Sequence, residues 1–378
     1  MINRLLSNKL HIVSFNIPYP ADYGGVIDVF YRMKALAEMG VEITLHCYAY
    51  GRQEATQLES YCKKVYYYRR DMSFVNMLSR KPFIVASREN KALLDNLRKD
   101  REPVLLEGLH CCSLLGQLEG RKVFVRMHNV EQDYYNSLAE AETNPFKRAY
   151  YRMDARKLQR FEPVILKADA VFAVTDFDAD HFRSLGCEKV YTMPISHTCD
   201  ELVCKTGQGS YALYHADLSV TENVDAVKYL VNNIFTQSKH RFVVAGRNPV
   251  QAVRELLAKT GNVELIANPD DRTMQELVAN AQVNILFTNQ ATGLKIKLLN
   301  SLYAGRHCLV NSKMVAGTQL GKLCTVADTA EAMRAALDGL MAKPFTKQDI
   351  EFRTPILISG YSNRANAKIL LDSLQQDK

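Results

Sequence analysis

The amino-acid sequence predicts an α/β fold of two doubly wound, Rossmann-like domains facing across a cleft. Strand-like apolar runs alternate with helix-period runs along nearly the whole chain, the pattern of a parallel sheet covered on both faces. At 378 residues the chain is also long for one hydrophobic core. The alternation breaks once and then starts again, which separates two copies of one architecture.

In the first half, LHIVSF (10–15) leads through a loop to the helical VIDVFYRMKALAEMG (26–40) and on to VEITLHCYAY (41–50), a βαβ unit. Further strands are expected at 64–68, 103–107, 121–127, 170–175 and 189–192, with helices between most of them. The stretch MPISHTCDELVCKTGQGS, 193–210, loses periodicity and reads as the linker between a first domain, 1–195, and a second, 208–357. Strands are then expected at 211–216, 241–246, 263–267, 283–287, 307–311 and 323–327, with helices at 222–234, 249–259, 272–280, 294–304 and 329–341. YSNRANAKILLDSL (361–374) has no strand after it, so the C-terminal helix, about 358–378, is expected to pack back on the first domain.

Composition narrows the function. A hydrophobic content of 47% with 24% charged residues describes a soluble globular chain. The nine cysteines are scattered, with no Cys-x-x-Cys and no His or Cys cluster, so reduced structural thiols and no metal site are expected. MINRLLSNKL has too short an apolar run for a secretory signal, and no stretch of about 18 uncharged residues is available for a membrane span. Cytoplasmic localisation is therefore expected. A net charge of +7 is too small to demand nucleic acid, but it suits anionic ligands or lipid headgroups.

Five stretches carry candidate chemistry. In TGLKIKLLNSLYAGRHCLV (292–310), apolar residues cover about two-thirds of a helix from Leu294, while Lys297, Asn300 and Ser301 share the rest and Lys295 interrupts the apolar side. The Thr292-Gly293 turn would let helix N–H groups and both lysines converge on a phosphate. In PADYGGVIDVF, Gly24 and Gly25 permit close backbone approach to a ligand, although this is no GxGxxG fingerprint. VFVRMHNVEQDYY (123–135) runs from a strand into Arg126, His128, Asn129 and Glu131, where His128 could bond a sugar hydroxyl or transfer a proton. RFVVAGRNP (241–249) ends in Arg247, a fork for phosphate oxygens, followed by Asn248 as helix cap and Pro249 as first helical residue. Finally, Arg148, Arg152, Arg156 and Arg160 form one cationic helix stripe, either a plain solvated face or a contact for anionic lipid.

Taken together, these stretches resemble the GT-B glycosyltransferases, in particular the large retaining family that includes many bacterial surface-polysaccharide and lipopolysaccharide enzymes. LSVTENVDAVKYLVNNIF followed by RFVVAGRNP is similar to the start of that family's donor domain, and TGLKIKLLNSLYAGRHCLVN to its G-G-x-x-x-K-x-x-E element. The resemblance implies a metal-independent transfer of a sugar from a nucleotide-sugar substrate, with no cofactor, to a glycan or lipid-linked acceptor. It implies that Lys297 and Arg247 neutralise the donor diphosphate with help from Lys295, and that Thr292, Gly293 and Asn300 line the donor site. Gly24 and Gly25 would approach from the other domain, and His128 would contact the transferred sugar. Asn300 stands where the family commonly has a ribose-binding glutamate, so the carboxylate's stronger acceptor is gone. A nucleotide-sugar epimerase and a non-catalytic scaffold remain open alternatives. The expected partners are the nucleotide sugar, the acceptor and a peripheral contact with the inner face of an anionic membrane, but not nucleic acid.

Overall fold

The computed structural model describes residues 8–290 and 293–375. The chain divides into two compact units, Met1–Ser196 with Gly360–Lys378, and His197–Ser359. The strands of the first are β1 (Lys9–Ser14), β2 (Glu42–Ala49), β3 (Lys64–Arg69), β4 (Val104–Glu107), β5 (Val123–Arg126), β6 (Ala170–Ala173) and β7 (Val190–Thr192). They form one parallel sheet in the order β3-β2-β1-β4-β5-β6-β7. Its helices are α1 (Gly24–Glu38), α2 (Phe74–Leu78), α3 (Phe83–Ala86), α4 (Lys91–Leu97), α5 (Glu131–Ala141), α6 (Pro145–Phe161) and α7 (Asp176–Ser184).

The second unit repeats the plan with β8 (Tyr211–Asp217), β9 (Arg241–Arg247), β10 (Val263–Ala267), β11 (Val283–Leu286), β12 (His307–Val310) and β13 (Thr325–Val326). Their order is β10-β9-β8-β11-β12-β13, again wholly parallel. The helices are α8 (Thr221–Asn233), α9 (Gln251–Ala258), α10 (Asp271–Asn280), α11 (Ile296–Ala304), α12 (Ser312–Val315), α13 (Ala330–Ala342) and α14 (Lys347–Tyr361). The last helix, α15 (Asn363–Gln375), puts Ala367 and Leu370 into the first unit's core beside Ile43 and Phe172.

In both sheets the chain lays down its first strand centrally, extends to one side, and crosses back to the other. The direction reverses between β1 and β4, and again between β8 and β11. Such a reversal opens a crevice at the carboxyl ends of the two strands, where doubly wound sheets take ligands. Burial on both faces explains the apolar runs: β8 alternates Ala212 and Tyr214 into one core with Leu213 into the other.

Several boundaries differ from expectation for local reasons. Asn248 adopts φ 52 and acts as a turn residue rather than a cap, so α9 starts only at Gln251, after Pro249 instead of on it. Gly293 at φ 67 and an extended Lys295 delay α11 to Ile296. A 3-10 turn over Gln319–Leu323 shortens β13 to two residues. The helix α14 was not expected at all; it contains Pro355, and its apolar positions have almost no one-sided periodicity.

Close contact between β8 and β9 depends on Gly246, where a Cβ would stand 1.8 Å from the Ala216 carbonyl oxygen. Gly246→Ala is expected to destabilise the protein by about 2–4 kcal/mol, read as a lower urea midpoint with unchanged slope.

Candidate functional site

The second unit gathers its candidate residues at the β8–β11 reversal. Lys297, on the second residue of α11, sends its ammonium across the strand ends to within 3.3 Å of Asn223 Oδ1 and 3.5 Å of the Tyr214 hydroxyl. It also lies 5.0 Å from the Tyr214 ring centre, in cation–π range. Asn223 is fixed in turn by donating to the Asp217 carbonyl at 2.9 Å. Burial pulls the Lys297 pKa down to about 8, with the charge of Lys295 adding to the effect and Glu222 opposing it. Glu222 accepts a hydrogen bond from the Thr288 hydroxyl.

Lys295 occupies the N-cap position and bonds the Gln290 and Gly293 carbonyls at 2.8 and 3.4 Å. No side chain caps α11, so its first N–H groups face the same end as the two ammoniums. Thr292, expected in this turn, lies outside the described residues. Arg247 ends β9 in register with Asp217, so it stands at the carboxyl edge of the same strand pair, exposed.

One turn along α11, Asn300 lines a cavity of about 630 Å³ together with His215, Arg272 and the linker residues Thr198 and Cys199. Its Oδ1 accepts weakly from the Thr198 hydroxyl at 3.4 Å and the Cys199 thiol at 3.7 Å. The neighbouring Ser301 meets His215 Nε2 at 3.3 Å. Burial, with Lys297 nearby, pulls the His215 pKa down to about 4, so this ring is neutral at pH 7. The polar arc of the helix thus has three destinations: the strand ends, the cavity and His215.

The first unit places a buried ion network at its own reversal. Asp28 of α1 bonds Arg32 at 2.8 Å and Arg126, the last residue of β5, at 3.1 and 3.2 Å. Glu107, the last residue of β4, receives Arg32 at 2.7 Å on both oxygens. His128 closes the set, with Nε2 3.0 Å from Glu107 and Nδ1 3.3 Å from Asp28. Burial opposes its charge, but these two carboxylates outweigh it and raise the pKa. Burial also opposes the Asp28 carboxylate, yet Arg126 and Arg32 hold it well below the usual range.

Both His128 nitrogens are therefore turned toward carboxylates. The ring is held between these two carboxylates, which favour its protonated form. Glu131 begins α5 nearby, buried, and burial pushes its carboxyl up to about 7. Gly24 opens α1 with no side-chain cap, exposed to solvent. Gly25 has a different duty, since a Cβ there would stand 2.7 Å from Phe15 Cζ. Among the described residues no group of His, Cys, Asp and Glu forms a metal-ligand cluster.

Sequence reasoning missed Asp28, Arg32 and Glu107, although a signal existed. Asp28 and Arg32 sit four apart on the same face as the buried Val29 and Met33, where charges survive only as partners. His215, Tyr214 and Asn223 left no such trace. Asp28→Ala removes the shared acceptor of three cations and is expected to cost about 3–5 kcal/mol, checked by chemical denaturation; Lys297→Ala, outside this network, should not.

No family model matches the chain. It is 27% identical over 374 residues, 91% of this chain and 90% of the relative, to an uncharacterized 44.6 kDa protein in the cps region of Klebsiella pneumoniae. Solved structures similar to it include TarM, with a TM-score of 0.68 at 9% identity, covering 97% of this chain and 99% of that one. A glycosyltransferase from Rickettsia africae follows at 0.65 and 13% identity, covering 97% and 98%. A UDP-forming trehalose-phosphate synthase from Burkholderia xenovorans superposes at 0.64 and 10% identity, covering 97% and 100%. The chain has the fold of these GT-B glycosyltransferases.

Proposed function

We propose that the protein is a glycosyltransferase of surface-polysaccharide synthesis. It moves a sugar from a nucleotide-diphosphate sugar to a glycan or lipid-linked acceptor on the cytoplasmic side of the membrane. The observation that carries this reading is the Lys297 ammonium, desolvated at the β8–β11 reversal with neutral oxygens and an aromatic face as its neighbours. The genetic setting of the Klebsiella relative and the UDP-forming activity named for the trehalose-phosphate synthase support it.

In this reading Lys297 meets the charge that builds on the diphosphate as the glycosidic bond breaks. A preorganised cation in a dry site stabilises that charge more than water can. Arg247 and the uncapped N-terminus of α11 with Gly293 hold the outer phosphate oxygens, and Lys295 keeps the local potential positive. Asn300 replaces a carboxylate at the ribose, and its amide can both donate and accept there. His128, held by Asp28 and Glu107, contacts the transferred sugar, while Gly24 leaves the start of α1 accessible. No metal ion is required by this distribution of charge.

The test is a panel of nucleoside diphosphates and their sugars, read by thermal shift and by product analysis. Transfer to an acceptor is expected; donor epimerised without acceptor would replace this reading, and no shift with any nucleotide would end it. Lys297→Ala should lower kcat by about 10²–10³-fold. Lys297→Met should do the same while raising stability by about 1–2 kcal/mol, because an ammonium held near pKa 8 in the fold is favoured in the unfolded chain. Donor affinity should be flat below pH 8 and fall as pH rises above it, since only the protonated amine binds the diphosphate.

A further inference from the structure

The helix α2 is five residues long and buries none of them. It presents Phe74, Val75 and Leu78 to solvent at 69%, 77% and 72% exposure. Water gives no reason to order such a turn with its large apolar side chains outward. It is nonetheless tied down, because Lys157 of α6 donates to the Met77 carbonyl at 3.0 Å and the next helix, α3, directs its Phe83 N–H at Asp154 of α6.

That tie fixes which side of α6 lies against α2. At 100° per residue, Phe146 and Met153 fall within about 40° of Lys157, so they share its side. They are 84% and 45% exposed. Five large apolar side chains on two joined elements are therefore exposed on one side of α6, Met153 about one turn from Lys157 and Phe146 about three turns, roughly 16 Å, toward the start of the helix. By the same step the exposed Arg160, Arg156 and Arg152 stand about 60°, 100° and 140° round α6 from Lys157, bordering the apolar side chains on the outer face, and Arg80 follows α2. Arg148 has left the stripe, donating to the Glu142 carbonyl at 2.7 and 2.9 Å. The nearest acid in the α2 segment, Asp71, is engaged by the Ser73 N–H at 2.9 Å.

From this we infer that α2 and the outer side of α6 form a docking surface for an anionic lipid bilayer, with Phe74, Val75, Leu78, Phe146 and Met153 entering the interface and the arginines resting on headgroup phosphates. An apolar wedge bordered by guanidiniums is matched to that boundary, apolar below and negatively charged above. The contact is peripheral, since no helix among the described residues is long and apolar enough to cross a membrane. The inference deepens the transferase reading by naming where a lipid-linked acceptor would be met, but vesicle binding is measured without turnover, so the two can fail separately.

The experiment is flotation of the full chain with vesicles of phosphatidylglycerol and phosphatidylcholine, against vesicles of phosphatidylcholine alone. Binding is expected only to the anionic vesicles, weakening as salt is raised. Combined Phe74→Ser, Val75→Ser and Leu78→Ser should reduce partitioning by about tenfold or more, and so should combined Arg152→Glu, Arg156→Glu and Arg160→Glu. All six side chains are exposed, so an unchanged circular dichroism spectrum and melting temperature confirm that the fold survives. Failure of the wild type to float, equal binding to both vesicle types, or full binding by either triple variant would overturn the inference. So would a concentration-dependent dimer abolished by the serine variant in a protein that ignores vesicles, which would give the patch to a second copy of the chain.

Discussion

Charge held away from water at the carboxyl edge of a parallel sheet is the condition around which each unit is organised. In the second unit it takes the form of one ammonium against a tyrosine ring; in the first it is two carboxylates shared among two guanidiniums and the His128 ring. The sheets make this possible because their order reverses at β1–β4 and β8–β11, leaving a gap that no side chain of a regular strand must fill. The surrounding apolar packing then fixes the dielectric, which sets how strongly each charge acts.

The two sites resolve desolvation in opposite ways. In the Asp28 network every charged group has an opposite within hydrogen-bond reach, and Asp28 and Glu107 raise the His128 pKa, although burial still lowers that of Arg126 and leaves Arg32 Nε without an acceptor among the described residues. Lys297 lacks such an opposite among the described residues, and its lowered pKa records the shortfall. A paired network holds elements in place, whereas a cation left under-compensated by its neighbours is disposed to take an anion, which is the basis of the proposed diphosphate contact.

Much of this was legible in the chain alone. The strand and helix alternation, the parallel sheets and the polar arc of α11 follow from periodicity, which burial on one side imposes directly. Helix starts were less legible, because Asn248 and Gly293 choose positive φ for turns that no periodic pattern records. The ion network was half visible: Arg126 and His128 stood out after a strand, but their partner Asp28 lies 98 positions before Arg126, and only folding joins them. His215 and Tyr214 are ordinary strand residues until α11 is laid over them. Asn300 was visible as a departure from a pattern, and the fold shows its company, a hydroxyl and a thiol from the linker.

The Asp28 network has a consequence for divergence. Its five members come from α1, β4, β5 and the turn after β5, and loss of any one strands the others' charge away from solvent. Mutational paths that alter it singly pass through poorly folded intermediates, so the set can drift only as a block.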